Sequence, residues 1–414
     1  MPVEGQRTLR IAMICPPLPS HLRAFEGIAA ALRVRGHDPI FVTEPQVAVD
    51  PGFPTVRLPD EAPPNRGLGF WASIRQGALW TDRLCRHGPA ILERLKVDMI
   101  LGDQTEPAAG LLGAALKIPM ISVACALPFN PEPGIPLPYL SWPYDRSEAG
   151  LKRNKGGAQV ARLLMTPHRR VVREWAEHWG LGPRESFEDC LSPLLTLAQV
   201  VPGFEHPRPD RGANMALLGP LRRPDPQVMP EGVMPDPARP LVYVSLGTLQ
   251  GHRWRLLARI VRACHAVGAQ VLVSHGGGLD ARNADRIPAD WVLDFVPQQA
   301  VLGHADLCVT HAGLNTALEC LAQGVPMLAL PLAYDQPGVA ARIGACGAGL
   351  WLKRTERSQA RIEAALLRLL TEPGFRATAT RFARDSAGWL GAEGAVQQIE
   401  RVMQSLPARA PLLG

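Results

Sequence analysis

Between Asp306 and Leu330 the chain spells out one complete strand–helix–strand unit. Asp306 to Thr310 is a short apolar run bounded by polar residues, the pattern of a strand buried on both faces of a parallel sheet. Gly313 breaks the run. From Asn315 the apolar positions Ala317, Leu318, Leu321 and Ala322 recur at helical spacing, and Gly324 stands where a helix C-cap is expected. Val325 to Leu330 is the next apolar run, with Pro326 near its start. A strand that returns through a helix pairs in parallel, so this unit demands a layered α/β fold.

The same alternation runs through the rest of the chain. Leu9 to Cys15, Pro39 to Thr43, Asp98 to Leu101 and Met120 to Val123 read as strands, with helices from about Leu22 to Arg35 and from near Glu106. At 414 residues the chain is long for one core, and two domains are expected. The break falls at Pro220 to Pro240, which is dense in proline and lacks periodicity, so it reads as a linker. The expected division is a Rossmann-like domain over residues 1–219, a linker over 220–240, a second Rossmann-like domain over 241–390, and a helix with a tail over 391–414. Two such halves make a cleft between facing strand ends.

Composition removes several function classes. The eight cysteines are scattered, with no C-x-x-C pair, and read as free buried thiols. The N-terminal apolar run Ile11 to Cys15 is too short for a secretory leader, and no segment is apolar enough over its length to span a bilayer. The net charge of +6 comes from arginines spread along helices without basic runs, which disfavours nucleic acid. A weak attraction to an anionic membrane surface remains compatible with it. No G-x-x-x-x-G-K-[ST] occurs, which excludes a P-loop, and no D-x-D pair occurs, which argues against a metal-held diphosphate.

The turn at Gly313 to Thr316 presents the unpaired N–H groups and positive dipole end of a helix, which suits a phosphate. His311, Asn315 and Thr316 add side-chain donors there. Glu319 lies one turn on, where a carboxylate can accept from two ribose hydroxyls. Asp335 and Gln336 follow the next strand at its carboxyl end, where open α/β sheets bind ligands. Ser245 and Thr248 close another strand end beside Gly247, a tight turn through which backbone and hydroxyl reach phosphate.

These residues, together with Phe295-Val296-Pro297-Gln298, resemble the donor-binding signature of the family 1 glycosyltransferases, GT-B enzymes that use UDP-sugars. The family pattern is aromatic-x-Pro-Gln, His-x-Gly-x-Asn-Ser/Thr, a Glu one turn later, Gly-Val-Pro and Asp-Gln. Phe295 replaces the Trp of plant members and keeps a ring for the base; Leu314 replaces a second Trp that contributes mostly backbone. Ser245 to Arg253, Leu330 to Arg342, Leu163 to Met165, Gly180 to Arg184 and Ser192 to Leu195 look like one bacterial subgroup, which glucosylates the carotenoid zeaxanthin.

The resemblance implies a GT-B fold with the last helix, about Ala392 to Gln404, crossing back to the first domain. It implies UDP-glucose as donor substrate, no separate cofactor, no metal, and an inverting transfer. It places a catalytic base at His21, just after the first strand, and its carboxylate partner at Asp103. The chemistry fits, because a sugar-accepting hydroxyl is a poor nucleophile until its proton is taken and His titrates near neutrality. The plain alternatives are a solvated His at a helix start and an Asp capping the helix after Pro107, with Glu106 a rival for the carboxylate role.

The acceptor side is less marked. Pro128 to Tyr144 is rich in proline and large apolar residues and reads as a long functional loop, with Leu140 and Trp142 as candidate acceptor contacts. Leu163 to Trp179 would complete an apolar tunnel. Trp175 and Trp179, near Arg169, Arg170 and Arg173, fit either a core-packed amphipathic helix or one that meets a membrane. Two other functions stay open at this point: transfer to a polyketide or other small hydroxylated natural product, and a catalytically inert nucleotide-sugar-binding helper.

Overall fold

A computed structural model describes residues 7–61, 70–210, 214–223 and 227–406. Linker residues 224–226 and the tail after 406 lie outside the described residues. The strands form two sheets, and every pairing in both is parallel. The first holds β1 (Arg10–Ile14), β2 (Asp38–Thr43), β3 (Thr55–Arg57), β4 (Met99–Asp103), β5 (Met120–Ala124), β6 (Thr196–Ala198) and β7 (Met215–Leu217), in the order β3-β2-β1-β4-β5-β6-β7. The second holds β8 (Leu241–Ser245), β9 (Gln270–Ser274), β10 (Trp291–Leu293), β11 (Leu307–Thr310), β12 (Met327–Ala329) and β13 (Gly349–Trp351), in the order β10-β9-β8-β11-β12-β13.

Helices cover both faces of each sheet, so the central strands are buried on both sides. All five residues of β4 and all five of β8 are buried, which is why these strands read as unbroken apolar runs. The strand order reverses between β1 and β4 in the first sheet and between β8 and β11 in the second. Ile14 pairs with Gly102 at the first switch point, and Ser245 with Thr310 at the second. Ligands in open α/β sheets bind outside the strand ends at such points. His21 and Asp103 lie at one switch point, Ser245 and His311 at the other.

The helix Leu314–Ala322 ends as its sequence dictates. Gly324 takes φ +70°. The Val325 N–H returns to the Cys320 carbonyl at 2.8 Å and the Gly324 N–H to Leu321 at 3.2 Å, the paired bonds of a glycine-terminated helix. This stop turns the chain directly into β12.

The two halves share an apolar seam in which Val200, Val201 and Phe204 pack with Val301, Leu314 and Val339. Inside it, Arg342 donates to both oxygens of Glu205 at 2.9 Å, with both residues almost fully buried, and Arg208 adds a 3.1 Å bond. The helix Gly391–Ser405 packs Ala395, Val396 and Ile399 into the core of the first half, beside Phe25 and Ile28 of the helix Pro19–Val34. Its Glu400 binds Arg35 at 2.7 Å and His37 at 3.2 Å. All eight cysteines are free thiols. Among the described residues no helix is long and apolar enough to cross a membrane.

Candidate active site

One cavity of about 1990 Å³ lies between the two halves. Ordinary small-molecule sites measure about 300–1,000 Å³, so this one has room for two ligands side by side. Its second-half wall is made of Ser245, Thr248, Phe295, Val296, Gln298, His311, Gly313, Asn315, Thr316, Glu319, Asp335 and Gln336. Every residue expected on the donor side therefore reaches the same space. His21 lines the first-half wall of that cavity.

The proline at the start of the helix Pro19–Val34 sets His21 in its first turn. The ring is buried, and its Nδ1 lies 2.7 Å from Asp103 Oδ2. Asp103 does not cap the following helix, whose N-cap is Pro107. Its Oδ1 instead accepts from the Thr105 N–H at 2.8 Å and the Thr105 hydroxyl at 2.6 Å, which fixes the carboxylate. Burial opposes a charged imidazole, but the Asp103 charge and hydrogen bond outweigh it, with help from Asp335, and the His21 pKa is raised. Burial likewise opposes ionisation of Asp103, yet the His21 charge and hydrogen bond, joined by Thr105, hold its carboxyl below the usual range. The Nδ1 bond to Asp103 leaves Nε2 on the opposite edge of the ring.

Glu106 faces away from this pair. Its Oε1 accepts from the Thr81 hydroxyl at 2.7 Å, and that hydroxyl also lies 3.3 Å from His168 Nε2. Burial pushes the Glu106 pKa up to about 8. Cys125 joins His21 and Asp103, with ligand atoms of the three within 4.8 Å of one another. Burial and the Asp103 charge raise the Cys125 thiol well above its usual pKa. A neutral thiol beside a carboxylate is a hydrogen-bond donor and a poor metal ligand.

On the other wall the turn before the helix Leu314–Ala322 is shaped around His311. A Cβ on Gly247 would lie 2.6 Å from the ring, and one on Gly313 would also lie at 2.6 Å, so both positions must be glycine for the imidazole to sit there. Ala312 takes φ +65°, unusual for a residue with a side chain, at the turn that leads into the helix. No side chain caps the helix, whose N-cap is Gly313. Burial pushes the His311 pKa down to about 4, so the ring is neutral and keeps one N–H to donate.

The carboxylate of Glu319 is 2 % exposed and already held. Gln298 donates to Oε2 at 2.6 Å and to Thr316 Oγ1 at 3.3 Å, while Tyr243 donates to the Gln298 carbonyl at 3.2 Å. Arg222, from the linker, forms an ion pair with Glu319 Oε1. The carboxylate lies on the wall of the cavity. Arg222 was invisible to motif reading because it lies in a segment without periodicity, far along the chain from its partner.

Phe295 is 62 % exposed at the cavity rim, so it is not a core residue. Asn315 is tied across the halves, accepting from Gln199 Nε2 at 2.9 Å. Gln336 folds its carbonyl back onto the Leu332 and Ala333 N–H groups at 2.7 and 2.8 Å, which sets the loop that carries Asp335. Asp335 Oδ2 accepts from the Leu127 N–H at 3.4 Å, and burial raises its pKa.

Two residues expected on the acceptor side fall outside the cavity lining. Leu140 and Trp142 do not line the cavity; they pack on the helix Glu148–Leu164 at Gly157, and Arg153 stacks on Trp142 at 5.3 Å. Trp175 and Trp179 pack against the core under the first sheet, where Trp175 donates to Asp82 at 2.9 Å. The apolar wall beside His21 comes instead from Phe129, Ile135, Leu137, Tyr139, Leu151, Met165 and Phe187. The irregular loop after β5 does supply part of it, and the Gly338 N–H holds that loop at the Pro138 carbonyl, 3.1 Å away.

Two facing parallel-sheet domains with a cleft at both switch points make the GT-B architecture. The crystallised glycosyltransferase of kitacinnamycin superimposes with a TM-score of 0.76 over 98% of this chain and 100% of its own, at 24% identity. Residues 188–386 match the sequence model for "UDP-glucoronosyl and UDP-glucosyl transferase". The zeaxanthin glucosyltransferase of Pseudescherichia vulneris is 38% identical over 84% of this chain and 87% of its own length. That of Pantoea ananas is 35% identical over 94% and 95%. The chain belongs to family 1 of the glycosyltransferases, the UDP-glucuronosyl and UDP-glucosyl transferase family.

Proposed function

We propose that the enzyme moves glucose from UDP-glucose to the ring hydroxyls of a zeaxanthin-type carotenoid, giving the monoglucoside and then the diglucoside. The observation that carries this reading is the position of the His21–Asp103 pair, bonded at 2.7 Å, where a polar wall and an apolar wall of one cavity meet. Similarity to two zeaxanthin glucosyltransferases over most of the chain supports the acceptor.

In the proposed reaction His21 Nε2 takes the proton of the acceptor hydroxyl as its oxygen attacks the anomeric carbon. The glycosidic bond forms on the face opposite the departing UDP, and the anomeric configuration inverts. Asp103 stays ionised and stabilises the imidazolium. Charge appearing on the leaving diphosphate meets the N–H groups at the start of the helix Leu314–Ala322 and the donors of Thr248, His311, Asn315 and Thr316, in place of a metal. Glu319 would accept from the ribose hydroxyls and Phe295 would stack on the base. The acceptor's apolar body would lie along Leu137, Tyr139, Leu151 and Met165, with affinity coming mainly from buried polyene. A lipid-soluble acceptor also supports transient contact with a membrane surface.

His21→Ala tests this assignment. Turnover should fall by about 10²–10⁴, with UDP affinity unchanged in calorimetry. Near-normal turnover would remove His21 from its role.

A further inference from the structure

We propose that the helix Glu148–Leu164, with the start of the helix Thr166–His178, is a docking face for an anionic phospholipid bilayer at the acceptor mouth of the cavity. Only Gly150 and Asn154 of the first helix are buried, so it lies on the molecule as a thin outer wall. Leu151, Ala158 and Leu164 face the cavity from it. Val160 and Leu163 are 57% and 71% exposed. The Arg169 guanidinium donates to the Arg162 carbonyl at 3.3 Å and ties the start of the second helix to the end of the first.

The charge of the chain is concentrated here. Residues 148–178 contain seven Lys and Arg against three Glu, a net of +4, when the whole chain carries +6. Arg170 and Arg173 are paired along their own helix with Glu174 and Glu177. Arg153 is likewise paired with Asp145, and Arg169 with Glu185, so the excess falls on the cavity-side helix through Lys152, Lys155 and Arg162.

Cations beside exposed aliphatic side chains are the surface of a helix that lies in a bilayer interface. A soluble acidic partner would use the charge and leave Val160 and Leu163 in water; a bilayer satisfies both. Lys155 and Arg162 also line the cavity, so the charged face and the mouth are continuous. Docked this way, an apolar acceptor reaches His21 without crossing water. That purpose rests on the carotenoid reading above; the docking itself does not.

The test is co-sedimentation of the full chain with vesicles at about 0.1 M salt, where the Debye length is about 10 Å. Vesicles of phosphatidylglycerol mixed with phosphatidylcholine should bind the protein at least about tenfold better than phosphatidylcholine alone. Val160→Glu combined with Leu163→Glu should weaken binding about tenfold. Lys152→Glu, which reverses a cation of the cavity-side helix, should weaken it up to about thirtyfold. Lys152, Val160 and Leu163 all lie outside the cavity lining, so both variants should keep wild-type turnover on acceptor in detergent micelles and lose it on acceptor in anionic vesicles. Equal binding to both vesicle types, no binding to either, or variants that bind like wild type would overturn the proposal. Failure of the wild type to glucosylate a carotenoid in detergent would instead strike the acceptor reading, and the vesicle binding would still decide the docking face.

Discussion

Asp103→Asn should be more damaging than its near-identical shape suggests, because of what Thr105 does to the replacement. Thr105 gives two hydrogen bonds to Oδ1 of Asp103, through its N–H and its hydroxyl. Those donors will select the carbonyl oxygen of an Asn and leave its NH₂ pointing at His21 Nδ1, 2.7 Å from the present Oδ2. An amide donating to Nδ1 drives the ring proton onto Nε2, the nitrogen that must accept from the acceptor. Two losses then combine. The charge-assisted bond to the imidazolium, about 1.5–3 kcal/mol, is gone, which is about 10–150-fold in rate. The wrong tautomer costs about another tenfold or more. Turnover should therefore fall by about 10²–10⁴, with UDP binding untouched. Asp103→Ala frees the tautomer and should be no worse than Asp103→Asn. The assay is steady-state kcat across pH with calorimetry for UDP. The sign of the pH effect follows from the raised His21 pKa: the base is neutral, and active, only above that pKa. The acid limb of wild type should lie above the ordinary His value, and Asp103→Ala should move it down. Asp103→Asn turnover within about threefold of wild type, or an acid limb unmoved in Asp103→Ala, would refute this account of the pair.

Three further outcomes follow from the same geometry. Glu319→Ala should raise the donor KM more than it lowers kcat, and its penalty should largely vanish when binding of 2′,3′-dideoxy-UDP is compared with that of UDP; equal penalties would mean that the helix does not hold the ribose. Glu106 carries a folded pKa of about 8 against about 4.5 when exposed, so the folded state holds an extra proton between those values and stability should decline as pH rises through that window. Glu106→Gln should flatten that decline in Tm, and an unchanged Tm–pH profile would show that Glu106 ionises normally. In the proposed reaction helix N–H groups and neutral side chains meet the diphosphate, so EDTA should leave activity intact; loss on chelation with recovery on manganese would refute that part of the mechanism.

What sequence reading reached and what it missed have physical causes. The βαβ pattern and the gathering of these residues on one cavity wall were legible because their signals are local: Phe295 to Gln336 is one continuous stretch, and helix start, glycine stop and strand end follow from neighbours. Parallel strand order then brought Ser245 and His311 together at a switch point, as it did His21 and Asp103. The apolar first-half wall had no such signal. In the irregular loop after β5 no period says which side chain faces inward. The loop is held by distant bonds, such as Asn154 to the Pro133 carbonyl at 2.9 Å, and Tyr139 lines the cavity while Leu140 packs outside it. Arg222 escaped for the same reason, since its partner Glu319 is a long-range neighbour.

The most direct test of the central claim is product mass from purified enzyme with UDP-glucose and zeaxanthin in detergent micelles. The account predicts a monoglucoside first and a diglucoside later, with one UDP released per glucose transferred. β-Carotene, which lacks the hydroxyl, should inhibit without reacting. No zeaxanthin product, alongside ready glycosylation of small soluble phenols or macrolides, would contradict the carotenoid assignment; UDP binding with no turnover on any acceptor would contradict catalysis by the His21–Asp103 pair.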